Sequence, residues 1–245
     1  MVGNGTTWEC VVLDLNTQRD FCDPEGAHPV RNVCQLTDTL PRLVEWTKRQ
    51  RVPVISSMDS HRRNEIRRSV SQEHCIDGTP GQLKLSYTIL ATAVAVEVDN
   101  TLSVPLDLFG THQQVIFRKR TPDLFGNPKA DRFLTQLAAN EFVICGVGLE
   151  YSVRTMALGL LGRGRKVTVV YDACGYWTAP DADLALRQLR AKGADIVSID
   201  QLVRRSPKIP RYYHDLLDAP GNGSNGKAGT WLLNGENGKS TRQSD

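Results

Sequence analysis

FVICGVGLEYSVRTMALGLLGRGRKVTVVYD, residues 142–172, decides the fold. Its first six residues are apolar enough for a strand buried on both faces. A glycine turn follows and a helical pattern covers 150–163. LGRGRK (161–166) then supplies the glycine-bearing helix end that precedes a second strand, KVTVVYD (166–172). A strand, a helix and a strand joined in this way make a right-handed crossover, so the two strands lie parallel. Ser152 falls in the first turn of the helix, where free backbone N–H groups and the positive dipole end stabilise an anion. An enzyme would place a nucleophile there.

The same rhythm extends in both directions. CVVLDLN (10–16), VPVISS (52–57), QVIFRK (114–119) and DIVSID (195–200) read as further strands, and helical patterns cover 32–50 (interrupted by Pro41), 127–139 and 181–192. This alternation predicts an α/β, doubly wound, mostly parallel sheet of Rossmann-like type with helices on both faces. Residues 1–218 are expected to form one domain. Two regions break the pattern. Residues 59–112 form a long insertion, polar and arginine-rich at first, then carrying a hairpin or extended pair around 84–104. From 219 the chain is dominated by Gly, Asn, Ser and charge, with only Trp231, Leu232 and Leu233 to bury, which predicts a disordered tail over 219–245.

Bulk properties narrow the function. A chain of 245 residues with 40% hydrophobic content can bury a full core, and its net charge of +3 neither demands nor excludes a polyanionic partner. Arg62, Arg63, Arg67 and Arg68 cluster in the insertion. They could guide an anionic substrate, but a solvated loop face is the commoner reason for such a run. No nucleic-acid signature accompanies them, so no nucleic-acid partner and no nucleotide cofactor are expected. The weakly polar run LATAVAVEV (90–98) is too short to span a bilayer and carries Glu97. The N-terminus has neither a basic start nor an apolar stretch, and the six cysteines are scattered without a CxxC pair. Both features predict a cytoplasmic protein with reduced thiols.

Ligands of open α/β sheets bind beyond the carboxyl ends of the strands, near the point where the strand order reverses. Reading only those ends collects Asn16, Gln18 and Asp20 after the first strand, Asp59 and His61 after the second, Lys119 at the third and Ser152 after the fourth. Each alone has an ordinary explanation as a turn, cap or solvated residue. Their common address is informative.

LDLNTQRDF (13–21), MDSH (58–61), HCIDGTPG (74–81), FRKRTPDLF (117–125) and the stretch 146–174 together resemble the isochorismatase-like cysteine hydrolases, especially nicotinamidases, over about residues 8–204. The resemblance implies an Asp, Lys and Cys triad that cleaves a small amide through a thioester. Lys119 matches the triad lysine, Ser152 stands at the position of the cysteine, and the aspartate position falls on Asn16. The nearest carboxylate is Asp14, roughly 6.6 Å back along the strand. The resemblance also places Gln18, Phe21, Gly148 and Leu149 at the substrate, with the Gly148-Leu149 turn aiming backbone N–H groups at an oxyanion. Asp59-x-His61 with His74 thirteen residues later resembles the metal motif of nicotinamidases. This oxygen and nitrogen set suits zinc, manganese or iron; Glu65 and Glu73 are nearby carboxylates, but the spacing of neither singles it out as a further ligand. The ordinary alternative is a turn-capping Asp beside two unrelated histidines. His28, His112 and His214 carry no pattern, and Trp177 either lines the pocket or packs in the core.

The substitutions set the functional question. A serine hydroxyl is a weak nucleophile that needs a positioned base, a neutral asparagine cannot accept its proton, and Lys119 would have to be deprotonated to do so. Three readings stay open: a hydrolase using Ser152 with Lys119, a non-catalytic relative binding a divalent metal and a small amide or heteroaromatic ligand, and a homo-oligomeric assembly subunit.

Overall fold

The computed structural model describes residues 7–63, 73–97 and 103–205, all within the compact unit Met1–Pro210. Seven strands form one sheet: β1 (Val11–Leu15), β2 (Val54–Asp59), β3 (Ala93–Val96), β4 (Gln114–Lys119), β5 (Glu141–Val147), β6 (Lys166–Gly175) and β7 (Asp195–Val197). Their spatial order is β3-β4-β2-β1-β5-β6-β7, and every pairing is parallel. The expected doubly wound sheet is therefore present. All five residues of β1 are buried, as a central parallel strand covered on both faces requires.

Helix α1 (Arg19–Cys22) is a single turn after β1, and α2 (Val33–Arg49) carries Pro41 inside it. The helices α3 (Pro128–Gln136), α4 (Arg154–Gly162), α5 (Ala179–Ala191) and α6 (Ile199–Arg204) follow. Leu36, Leu40, Leu43 and Trp46 recur at helical spacing on α2 and pack with Val12, Val54, Val143 and Cys145 of the sheet, joined by Ile199 and Leu202 of α6. The opposite face buries Phe117 against Phe133 of α3, with ring centroids 5.7 Å apart. Gly146 has φ +107, and a Cβ there would sit 2.0 Å from the Leu15 carbonyl oxygen, so only glycine lets β5 pass this close to β1.

Two expectations are corrected. Among the described residues of 84–104 there is no hairpin. Two short 3-10 turns (Pro80–Gln82 and Ser86–Thr88) lead into the single edge strand β3, which pairs parallel with β4. The segment 195–200 is a strand only to Val197, because Ser198 and Gln201 form a reciprocal capping box that starts α6. The tail 219–245 lies outside the described residues, as do Glu65, Arg67 and Arg68. No helix among the described residues is long and apolar enough to cross a membrane.

Candidate functional site

The strand order reverses between β1 and β5. β1 is followed on one side by β2, β4 and β3, and on the other by β5, β6 and β7. Asn16 and Ser152 meet across this switch point. Asn16 leaves β1 with φ +51, a left-handed conformation that asparagine tolerates better than most side chains. Its Nδ2 donates to the Val147 carbonyl at 2.9 Å and to Ser152 Oγ at 3.1 Å, while its Oδ1 accepts from Ser57 Oγ at 2.7 Å. The Val147 carbonyl can only accept, so it fixes which end of the amide carries the nitrogen. Asn16 thus presents a donor, and no basic atom, to Ser152. Both side chains are buried.

The turn that holds Ser152 begins where β5 ends. The Val147–Gly148 peptide is cis, and Leu149–Val153 form one π-helical turn that runs into α4. A Cβ on Gly148 would lie 2.2 Å from Trp177 Cζ3, so the glycine is required by the indole that covers it. Glu150 Oε1 accepts from the backbone N–H of Trp177 at 2.7 Å and of Thr178 at 3.1 Å, tying this turn to the start of α5. Leu149 is buried. Trp177 is a packing residue. Its ring stacks on His28 (centroids 4.8 Å, 19° between planes) and meets Phe21 edge-on at 5.6 Å.

Asp59, His61 and His74 come together at the tip of β2, each offering a ligand atom within 4.8 Å of the others. Hydrogen bonds from neighbouring segments hold the backbone around them. Gln18 receives the Asp59 N–H at 2.7 Å and donates to the carbonyls of Asp59 (2.9 Å) and Gln82 (2.7 Å). Gln18, expected at the substrate, therefore uses its amide to position Asp59. His61 bridges Ile76 as in a short parallel ladder, donating to the Cys75 carbonyl at 3.0 Å and accepting from Asp77 at 2.9 Å. Asp20 anchors the same loop through the Cys75 N–H at 2.6 Å and takes the Ala27 N–H at 3.1 Å. Phe21 packs on His74 with centroids 5.1 Å apart, and His28 stacks on the same ring at 5.4 Å. One carboxylate and two imidazoles on a pre-set frame fit a divalent ion. Glu73 is exposed and is not part of the cluster.

Lys119 joins this cluster rather than Ser152. Its amine, 1% exposed, forms an ion pair with Asp59 Oδ1 and donates to the Thr121 carbonyl at 2.9 Å. Asp14 is occupied as well. Lys84 Nζ lies 2.8 Å from its Oδ2, which also accepts from Ser56 at 3.1 Å, and Thr17 donates to Oδ1 at 2.8 Å. Cys75, next to His74, offers no replacement nucleophile, because burial and the neighbouring Asp59 and Asp20 carboxylates push its thiol up. Lys84, His28 and Glu150 escaped the sequence reading. Only Glu150, in the first helical turn, had a local signal.

Residues 10–201 match the isochorismatase domain model. The chain belongs to the isochorismatase family. A nicotinamidase of Escherichia coli (strain K12) is 28% identical over 207 residues, covering 77% of this chain and 94% of that protein. The fold is shared with the pyrazinamidase of Pyrococcus horikoshii in complex with zinc, which has TM-score 0.62 and 24% identity and covers 78% of this chain and 99% of that one. It is shared equally with a nicotinamidase/pyrazinamidase of Bacillus subtilis, with TM-score 0.63 and 17% identity over 78% and 100% of the two chains. The switch point at which Asn16 meets Ser152 thus lies in a sheet of this family.

Proposed function

We infer that this chain is an isochorismatase-family protein whose pocket binds a small amide or heteroaromatic ligand beside a divalent metal, and whose amide hydrolysis is weak or absent. The observation that carries this reading is the hydrogen bond from Asn16 Nδ2 to Ser152 Oγ. Attack by a serine hydroxyl on an amide carbonyl needs a group that takes the hydroxyl proton as the C–O bond forms. The amide of Asn16 has no basic nitrogen, and its oxygen is taken by Ser57. Lys119 is engaged by Asp59 and Thr121.

Binding groups survive where the proton acceptor does not. Asp59, His61 and His74 would hold a zinc, manganese or iron ion, and the zinc complex of the Pyrococcus pyrazinamidase supports that choice of metal class. When bound, such an ion supplies an open coordination position for a ring nitrogen or carbonyl oxygen. Phe21, His28 and Trp177 make the surroundings of the imidazoles aromatic, which suits a planar ring of the kind named in the nicotinamidase relative. Backbone N–H groups at the Gly148-Leu149 turn are available to a carbonyl oxygen whatever side chain follows.

The test is calorimetric titration of nicotinamide and pyrazinamide into zinc-supplemented protein, with ammonia followed in parallel. Saturable binding that is lost in His61→Ala, with no ammonia above the protein-free rate, is the expected result. Ammonia release that disappears in Ser152→Ala would establish a working serine hydrolase and end the proposal.

A further inference from the structure

Lys119 is buried, charged and unconnected to Ser152, and this prompts the question of what its amine does. It makes two contacts among the described residues, the ion pair with Asp59 Oδ1 and the bond to the Thr121 carbonyl. Strand register enforces the first, since Asp59 and Lys119 are direct partners on β2 and β4. Asp59 is also the only carboxylate of the three-residue cluster. The two roles compete for one side chain.

We propose that in this chain Lys119 is a positioning residue of the metal site that holds Oδ1 of Asp59, leaves Oδ2 as the single oxygen donor, and keeps the bound ion weakly held. This rests on the metal reading above. Two physical effects act together. With Oδ1 engaged, Asp59 can offer one oxygen, which favours a low coordination number with two imidazoles and open positions. A fixed positive charge against the ligand carboxylate also repels a divalent cation, and that repulsion is strong because Lys119 is shielded from water.

The test is the affinity of zinc for wild type, Lys119→Met, His61→Ala and the Lys119→Met/His61→Ala double variant, measured by competition with a chromogenic chelator. Lys119→Met is expected to bind zinc at least tenfold more tightly than wild type, and the gain should vanish when His61 is also removed. A residue serving only the fold would lower affinity when replaced, so a gain is diagnostic. Because the unpaired Asp59 carboxylate destabilises metal-free Lys119→Met, the zinc-induced rise in Tm is measured as well and should exceed that of wild type. Wild-type binding with equal or weaker binding in Lys119→Met overturns this inference alone. Absence of His61-dependent zinc binding in both proteins overturns the metal reading and this inference with it.

Discussion

Replacing Lys84 by methionine should destabilise the protein by about 3–5 kcal/mol, the usual cost of removing one partner of a buried ion pair. The side chains of Lys84 and Asp14 are 1% and 9% exposed and lie 2.8 Å apart. Methionine keeps the length and most of the apolar stem, so packing loss is minor and the charge is the main change. What remains is a carboxylate in the core with hydroxyl donors from Thr17 and Ser56 alone. At about 2–4 °C per kcal/mol for a domain of this size, Tm should fall by about 6–20 °C. Removing both charges in Asp14→Leu/Lys84→Met should recover most of the loss, since an apolar pair of similar volume is often as stable as a buried ion pair. Thermal and urea denaturation followed by circular dichroism would measure the cycle. A Lys84→Met variant within about 1 kcal/mol of wild type, or a double variant no better than the single, would refute the reasoning.

Gly148→Ala should cost about 1–3 kcal/mol by driving a methyl into Trp177. Trp177→Leu in the same chain should relieve part of that cost, whereas additive effects would deny the contact. Gln18→Leu removes three hydrogen bonds to the backbone around Asp59 and should weaken zinc binding as well as lower Tm; unchanged metal affinity would show that the frame does not depend on Gln18. Burial pushes the Cys22 thiol up to about 12 and raises those of Cys10, Cys75, Cys145 and Cys174, leaving Cys34 as the exposed one of six. A disulfide reagent at pH 8 should titrate one thiol in the native protein and none in Cys34→Ser, and a second fast thiol would contradict the burial.

The central strands were legible because parallel strands covered on both faces carry uninterrupted apolar stretches, and 10–13, 115–117 and 142–145 are such stretches. β3 was not, because Ala93–Val96 is a four-residue edge strand only half buried, and its partner is chosen by β4 rather than by local pattern. The start of α6 carried its signal in Ser198 and Gln201, which the apolar residues of DIVSID masked. At the site, strand tips gave the address of Asn16, Asp59, Lys119 and Ser152, since chain topology alone brings those ends together. The bonding within that address could not be read. Lys84 reaches Asp14 across 70 positions, and Trp177 meets His28 across 149, so neither leaves a local trace. That Lys119 answers Asp59 rather than Ser152 follows from side-chain reach across paired strands, a property of coordinates.

The central claim is that Ser152 lacks a proton acceptor because residue 16 is an amide. Ammonia release from nicotinamide should be compared among wild type, Ser152→Cys and Asn16→Asp/Ser152→Cys in the presence of zinc. The predicted result is no turnover by wild type, little by the single variant, and a rate at least a hundredfold higher in the double variant, within the usual contribution of about 10²–10⁴ from a positioned base. Turnover by wild type that depends on Ser152, or a single variant as fast as the double, would contradict it.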